Sequence, residues 1–201
     1  MNPTSDAAYI AFEGDSCVGS GDLREVARSA RQALGRQPEA SILIFNGRTS
    51  ALVDVDFRGS VDDVVARIPL PEPPSTDEDT ALAAPRGPGR PKLGVVAREI
   101  TLLPRHWDWL AQQKGGASVA IRKLVDEARR NNEGSDRIRL AQEAAYRFMS
   151  TMAGNRPHFE EAIRALFASD AKRFEQLIAE WPADVRDHAA RLAVPAFHRE
   201  A

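Results

Sequence analysis

A chain of 201 residues, 43% hydrophobic and 28% charged, has room for one large domain or two to three small ones. Its net charge of −2 gives no overall pull toward nucleic acid or membrane, and no apolar run nears the ~18 to 20 residues of a membrane span. The single cysteine, Cys17, excludes an internal disulfide and suits a reducing cytoplasm, while the opening "MNPTSDAAYI" has neither the basic nor the apolar region of a secretory signal.

The first elements read as α+β. "AYIAFEGDSCVGSG" gives two short apolar runs around Glu13-Gly14-Asp15, a hairpin turn. In "DLREVARSARQAL" the apolar residues Leu23, Val26, Ala27, Ala30, Ala33 and Leu34 follow the helical period, and Asp22 with Glu25 forms a capping box. Asn46-Gly47 in "SILIFNGRTSALVDVDF" predicts a second hairpin, because its two turn positions need positive φ. Ser60 then caps "VDDVVARI". The order is ββαββα, a small antiparallel sheet with helices on one face.

Residues 70–94 read as a disordered linker rich in proline, acidic at Glu72, Asp77, Glu78 and Asp79 and basic after Ala84. Beyond it, Pro104 opens a helix with an apolar face of Trp107, Leu110 and Ala111, and Ser118 caps a second helix with Ile121, Leu124, Val125 and Ala128 on one side. The remainder predicts a bundle of short helices opened by Asp136, by Asn155 with Pro157, by Asp170 and by Asp184. Charge is uneven along this order. Residues 86–130 carry 10 basic against 4 acidic side chains, a net of +6, between segments that are acidic or neutral.

Residues 97–130, "AREITLLPRHWDWLAQQKGGASVAIRKLVDEARR", resemble the Arc/MetJ-type ribbon-helix-helix DNA-binding family. The likeness lies in a short strand ending in Leu-Pro, a helix of about ten residues, a glycine turn and a second helix opening "SVAIRKLV". It implies that two chains pair their strands into a ribbon that enters the major groove, above a core of four helices. The isolated strand before Pro104 would then find its hydrogen-bond partners in a second copy. Ile100, Leu102, Trp107, Leu110, Ile121, Leu124 and Val125 would form the dimer core, with Trp109 at its edge or against the carboxy-terminal helices. Ala97, Glu99 and Thr101, with Leu103, would face DNA. Arg98, Arg105, Ser118 and Arg122 would meet phosphates, Ser118 through the amino terminus of the second helix. "RGPGRPK" resembles the AT-hook core, which is usually Arg-Gly-Arg-Pro, so Arg86, Arg90 and Lys92 form a cationic arm suited to an A·T-rich minor groove. The whole chain also resembles an uncharacterised bacterial family.

Other signals are weaker. His106, His158, His188 and His198 share no metal-ligand spacing, with one another or with Cys17, and read as surface or capping residues. Asp54 and Asp56 in "VDVDF" have the spacing of a cation pair but read more simply as a wet strand face. "GSGDLR" lacks the third glycine of a phosphate-binding turn.

The resulting expectation is an α+β protein with a 1–69 ββαββα domain, a 70–94 linker, a 95–131 ribbon-helix-helix module and a 132–201 helical domain. It is a cytoplasmic, non-enzymatic homodimer that binds duplex DNA and regulates transcription, without cofactor, metal or membrane, and with room for a protein partner on its carboxy-terminal helices. The alternatives are a dimerisation or interaction protein of antitoxin-like use and, third, a small-ligand binder using the first 70 residues.

Overall fold

The computed structural model describes residues 8–69, 96 and 98–198. The chain divides into two compact units, one built from residues 1–69 with 132–201 and the other from 70–131.

In the first unit, β1 (Tyr9–Glu13) pairs antiparallel with β2 (Ser16–Gly21) and with β3 (Ile42–Asn46), giving the strand order β2-β1-β3. Gly14, at φ 54°, takes the left-handed position of the β1–β2 turn. Asp22 caps α1 (Leu23–Arg36) by accepting from the Arg24 and Glu25 amides, and the Glu25 side chain completes the capping box. Ser60 and Asp63 build a second capping box at α2 (Val61–Arg67).

The second predicted hairpin takes another form. Asn46 ends β3, and its Oδ1 accepts from the Arg48 and Thr49 amides at 3.1 and 3.0 Å. Ser50, not Gly47, holds the left-handed φ, at 53°. The returning chain donates from Val53 N to Ile44 O and accepts from Asn46 N at Ala51 O, yet it makes one isolated bridge, Phe45 to Leu52. The asparagine side chain holds a wider turn than a two-residue hairpin, so three strands and a bridge replace the four expected.

Strand alternation sends Ile10, Phe12, Leu43 and Phe45 to one face of the sheet and Tyr9, Ala11, Ile42 and Ile44 to the other. Against the second face pack Val26 and Ala30 of α1. Against the first pack Ala144, Phe148 and Met149 of α4 (Gly116–Met152), with α5 (Phe159–Phe167), α6 (Ala171–Ile178) and α7 (Ala183–Phe197) completing the cluster. Helices therefore cover both faces. The two ends of the chain, which sequence periodicity treats as separate domains, share one core. Rings of Phe12, Phe45 and Phe148 meet at its centre with centroids 5.2 to 6.2 Å apart.

α4 corrects another expectation. The segment "RRNNEGSDR" reads as a break, but the helix runs 37 residues through it. No proline interrupts it, Gly134 costs only about 1 kcal/mol in a helix interior, and Arg139 pairs with both Asp136 and Glu143 one turn either side. Asp136, expected to open a new helix, lies inside this one, and Ser135 donates back to Asn132 O. α4 supplies residues 116–131 to the second unit and 132–152 to the first.

In the second unit, α3 (Pro104–Ala111) starts at its proline, as predicted, and Gly115 and Gly116 make the turn into α4 with φ of 94° and 77°. Among the described residues of this unit, only Leu110 and Ala120 are buried hydrophobics. The expected linker at 70–94 lies outside the described residues.

Candidate nucleic-acid interface

Among the described residues, 98–103 belong to no strand, and Leu103 leads into the helix with extended backbone (φ −67°, ψ 149°). Arg98, Glu99, Ile100, Thr101 and Leu103 are exposed, while Leu102 is half-buried.

Seven side chains were expected to form a dimer core. In the single chain Leu110 is buried, Leu102 and Ile121 are half-buried, and Ile100, Trp107, Leu124 and Val125 stay 42–50% exposed. α4 thus presents Ile121, Leu124 and Val125 as an apolar stripe at helical spacing, with every residue from Arg122 to Glu133 exposed. Trp109, at 48%, is as open as Trp107. The two tryptophans lie about 160° apart around α3, so one surface cannot cover both.

The predicted phosphate-binding residues are dispersed over this unit. Arg105 lies exposed in the first turn of α3 and Arg122 on the outer side of α4. Ser118 is exposed in the first turn of α4, which begins at Gly116, three residues earlier than a Ser118 cap would place it. Arg86, Arg90, Lys92 and Ala97 lie outside the described residues.

In the first unit, Asp56 is not available as a cation ligand. Its carboxylate pairs with Arg58 at 2.7 Å and with Arg67 at 2.9 Å, and the Arg58 hydrogen bonds hold it well below the usual carboxylate range. Among the described residues, no group of three or more His, Cys, Asp or Glu is placed to hold a metal. Asp184 does not cap α7. Pro182 stands at that cap, and the Asp184 carboxylate accepts the Cys17 amide of β2 at 2.7 Å, covering a sheet edge. Burial raises the Cys17 thiol pKa above its ordinary value, which disfavours the reactive thiolate.

His188 departs most from expectation, because it is buried rather than at the surface. Its ring lies 4.4 Å from that of Phe148 and 5.8 Å from that of Phe12, both near edge-on. The Arg191 guanidinium can only donate, so Nδ1 accepts and the proton sits on Nε2, which has no hydrogen-bond partner. Burial, with the Arg191 charge added, pushes its pKa down to about 3. The signal was present in the sequence: Val185, Ala189 and Leu192 put His188 on the apolar side of α7.

An α+β protein with a three-stranded antiparallel sheet, helices on both faces and a basic helical unit is the class these features define. A family model described as "Uncharacterized protein conserved in bacteria (DUF2239)" matches residues 8–193, and the chain belongs to that family. No curated protein and no solved structure matches the chain. Among the described residues, no helix is long and apolar enough to cross a membrane.

Proposed function

We propose that the protein is a homodimer that binds duplex DNA, joined through residues 96–130 and acting as a transcriptional regulator. The observation that carries this reading is the exposure of Ile100, Leu103, Trp107, Leu124 and Val125 in the second unit, with residues 98–103 in no strand among the described residues. A second copy supplies both needs. Antiparallel pairing satisfies the backbone groups, and each large apolar side chain fully buried contributes about 1.5–3 kcal/mol. The net charge of +6 over residues 86–130 supports phosphate as the ligand, bound by Arg98, Arg105 and Arg122. The arm at Arg86, Arg90 and Lys92 adds minor-groove affinity.

The test is a mobility shift at several salt concentrations. The expected outcome is salt-sensitive binding whose slope falls by about 0.9 for each phosphate no longer neutralised, so that Arg90→Ala with Lys92→Ala reduces it by about 1.8. A dimer that shifts no DNA at low salt would overturn the DNA part and leave a dimerisation and interaction protein. One observation favours that second reading: the Glu99 carboxylate is exposed in the segment meant to approach phosphate.

A further inference from the structure

The Asn46-Gly47 turn carries a chemistry that the nucleic-acid reading does not use. Of the five asparagines in the chain, Asn46 alone precedes a glycine. A glycine amide nitrogen has no neighbouring Cβ to hinder it, so it is the backbone nitrogen best able to reach Cγ of the preceding asparagine. The fold holds both groups back. Gly47 N donates to Ala8 O at 2.8 Å, just ahead of β1. Asn46 Oδ1 accepts from the amides of Arg48 and Thr49 at 3.1 and 3.0 Å and from Thr49 Oγ1 at 3.1 Å. Asn46 and Gly47 are half-buried, and Tyr9 pairs with Asn46 across the ladder. The nitrogen that would attack is thus engaged as a donor, and the carboxamide it would attack is tied to the residues that follow. The tie on the nitrogen sits at the end of the sheet, because Ala8 is exposed and precedes the strand.

We propose that Asn46 is a site of spontaneous deamidation, released when the start of β1 opens and Gly47 N leaves Ala8 O. Once free, the Gly47 nitrogen loses its proton to hydroxide and bonds to Asn46 Cγ. The Cγ–Nδ2 bond breaks, Nδ2 takes a proton from water and leaves as ammonia, and a succinimide ring remains. Water then opens the ring. Breakage at Cγ gives aspartate, whereas breakage at the main-chain carbonyl carbon gives isoaspartate, with Cβ and Cγ drawn into the main chain. The net change is water consumed and ammonia released, with no change of oxidation state. Aspartate keeps the turn, because its carboxylate accepts from the same donors with added charge. Isoaspartate lengthens the main chain at the end of β3, where Asn46 N donates to Ala51 O and Asn46 O accepts from Ser50 N, both at 2.8 Å. It therefore loosens the returning chain.

Amide hydrogen exchange at Gly47 needs the same release from Ala8 O and the same loss of a proton. Where opening is fast and reversible, both rates follow the population of the open form. The experiment incubates the full chain at mildly alkaline pH, folded in buffer and unfolded in concentrated urea. Trypsin then frees residues 37–48 by cutting after Arg36 and Arg48, and mass spectrometry separates the asparagine, aspartate and isoaspartate forms. In urea, conversion at Asn46 is expected to run ahead of Asn131, Asn132 and Asn155. In buffer it is expected to slow by the factor that the fold imposes on Gly47 exchange. Gly47→Ala suppresses conversion in both, and Gly47 is not among the glycines at positive φ, so alanine suits its backbone. The urea arm reads this variant whether or not it folds. Equal rates in buffer and urea overturn the proposal. So does conversion in buffer faster than Gly47 exchange allows, which would place the attack in the closed turn, and so does conversion indifferent to Gly47→Ala. Chains carrying isoaspartate should melt below Asn46→Asp, and equal melting removes the consequence drawn for β3.

Discussion

His188 shows how a single side chain couples the core to pH. Its folded pKa of about 3 lies below the ordinary value of 6.5, so the unfolded chain binds the proton more readily than the folded one. The stability contributed by neutral His188 is fully present above pH 6.5 and declines as pH falls toward 3, by about 1.4 kcal/mol per unit. Urea midpoints measured from pH 7 to 4 should fall more steeply for the natural protein than for His188→Phe. Parallel pH profiles would mean that the imidazole is already protonated or exposed. Phe148, fully buried between Phe12, Phe45 and His188, belongs to the same cluster. Phe148→Ala should cost about 3–5 kcal/mol in chemical denaturation, because the surrounding rings come from the sheet and from α7 and cannot all close the cavity. Histidine burial was readable from the spacing of Val185, Ala189 and Leu192. Its aromatic neighbours were not, since they come from β1 and α4.

At the scale of elements, local chemistry placed some helix starts and missed others, among them α5, which begins at Phe159 behind His158 rather than at Asn155 and Pro157. Asp22 with Glu25, Ser60 and Asp170 cap their helices because the bonds involved span three residues or fewer. Asp184 reads the same way but gives its carboxylate to the Cys17 amide, 167 positions away. The continuous α4 is the largest departure. Gly134→Ala should stabilise the protein by up to about 1 kcal/mol and raise helical circular dichroism, because alanine lowers the cost of an interior helical position. A loss of stability would indicate that Gly134 is needed for a bend. The Asn46-Gly47 signal located a turn correctly, but the Asn46 side chain bonded to Arg48 and Thr49 sets its width, so the fourth strand shrinks to the Phe45–Leu52 bridge.

For the whole molecule, the proposed assembly predicts how oligomeric state responds to the open face. Leu124→Asp places a charge in the apolar stripe of α4 and should convert a dimer to monomer in sedimentation equilibrium, with little effect on the thermal stability of the first unit. A monomeric natural chain, or a dimer indifferent to this substitution, would remove the basis of the ribbon. The charge of the candidate site and the helical spacing of its apolar residues were legible from sequence, because composition and periodicity are local properties. Whether Trp107 and Trp109 share a surface was a matter of helix geometry alone. They do not, because two positions along a helix turn a side chain to nearly the opposite side.

Sequence by itself determined the capping residues Asp22, Ser60 and Asp170, the β1–β2 turn, the basic segment and the α+β class, all of which depend on groups a few positions apart. Only the tertiary structure decided that the two ends of the chain share a core, that the sheet is covered on both faces and that the His188 ring packs against Phe12 and Phe148. Those outcomes depend on the packing of Phe12, Phe45 and Phe148 with α7, which lie far apart along the chain and leave no periodic trace in it.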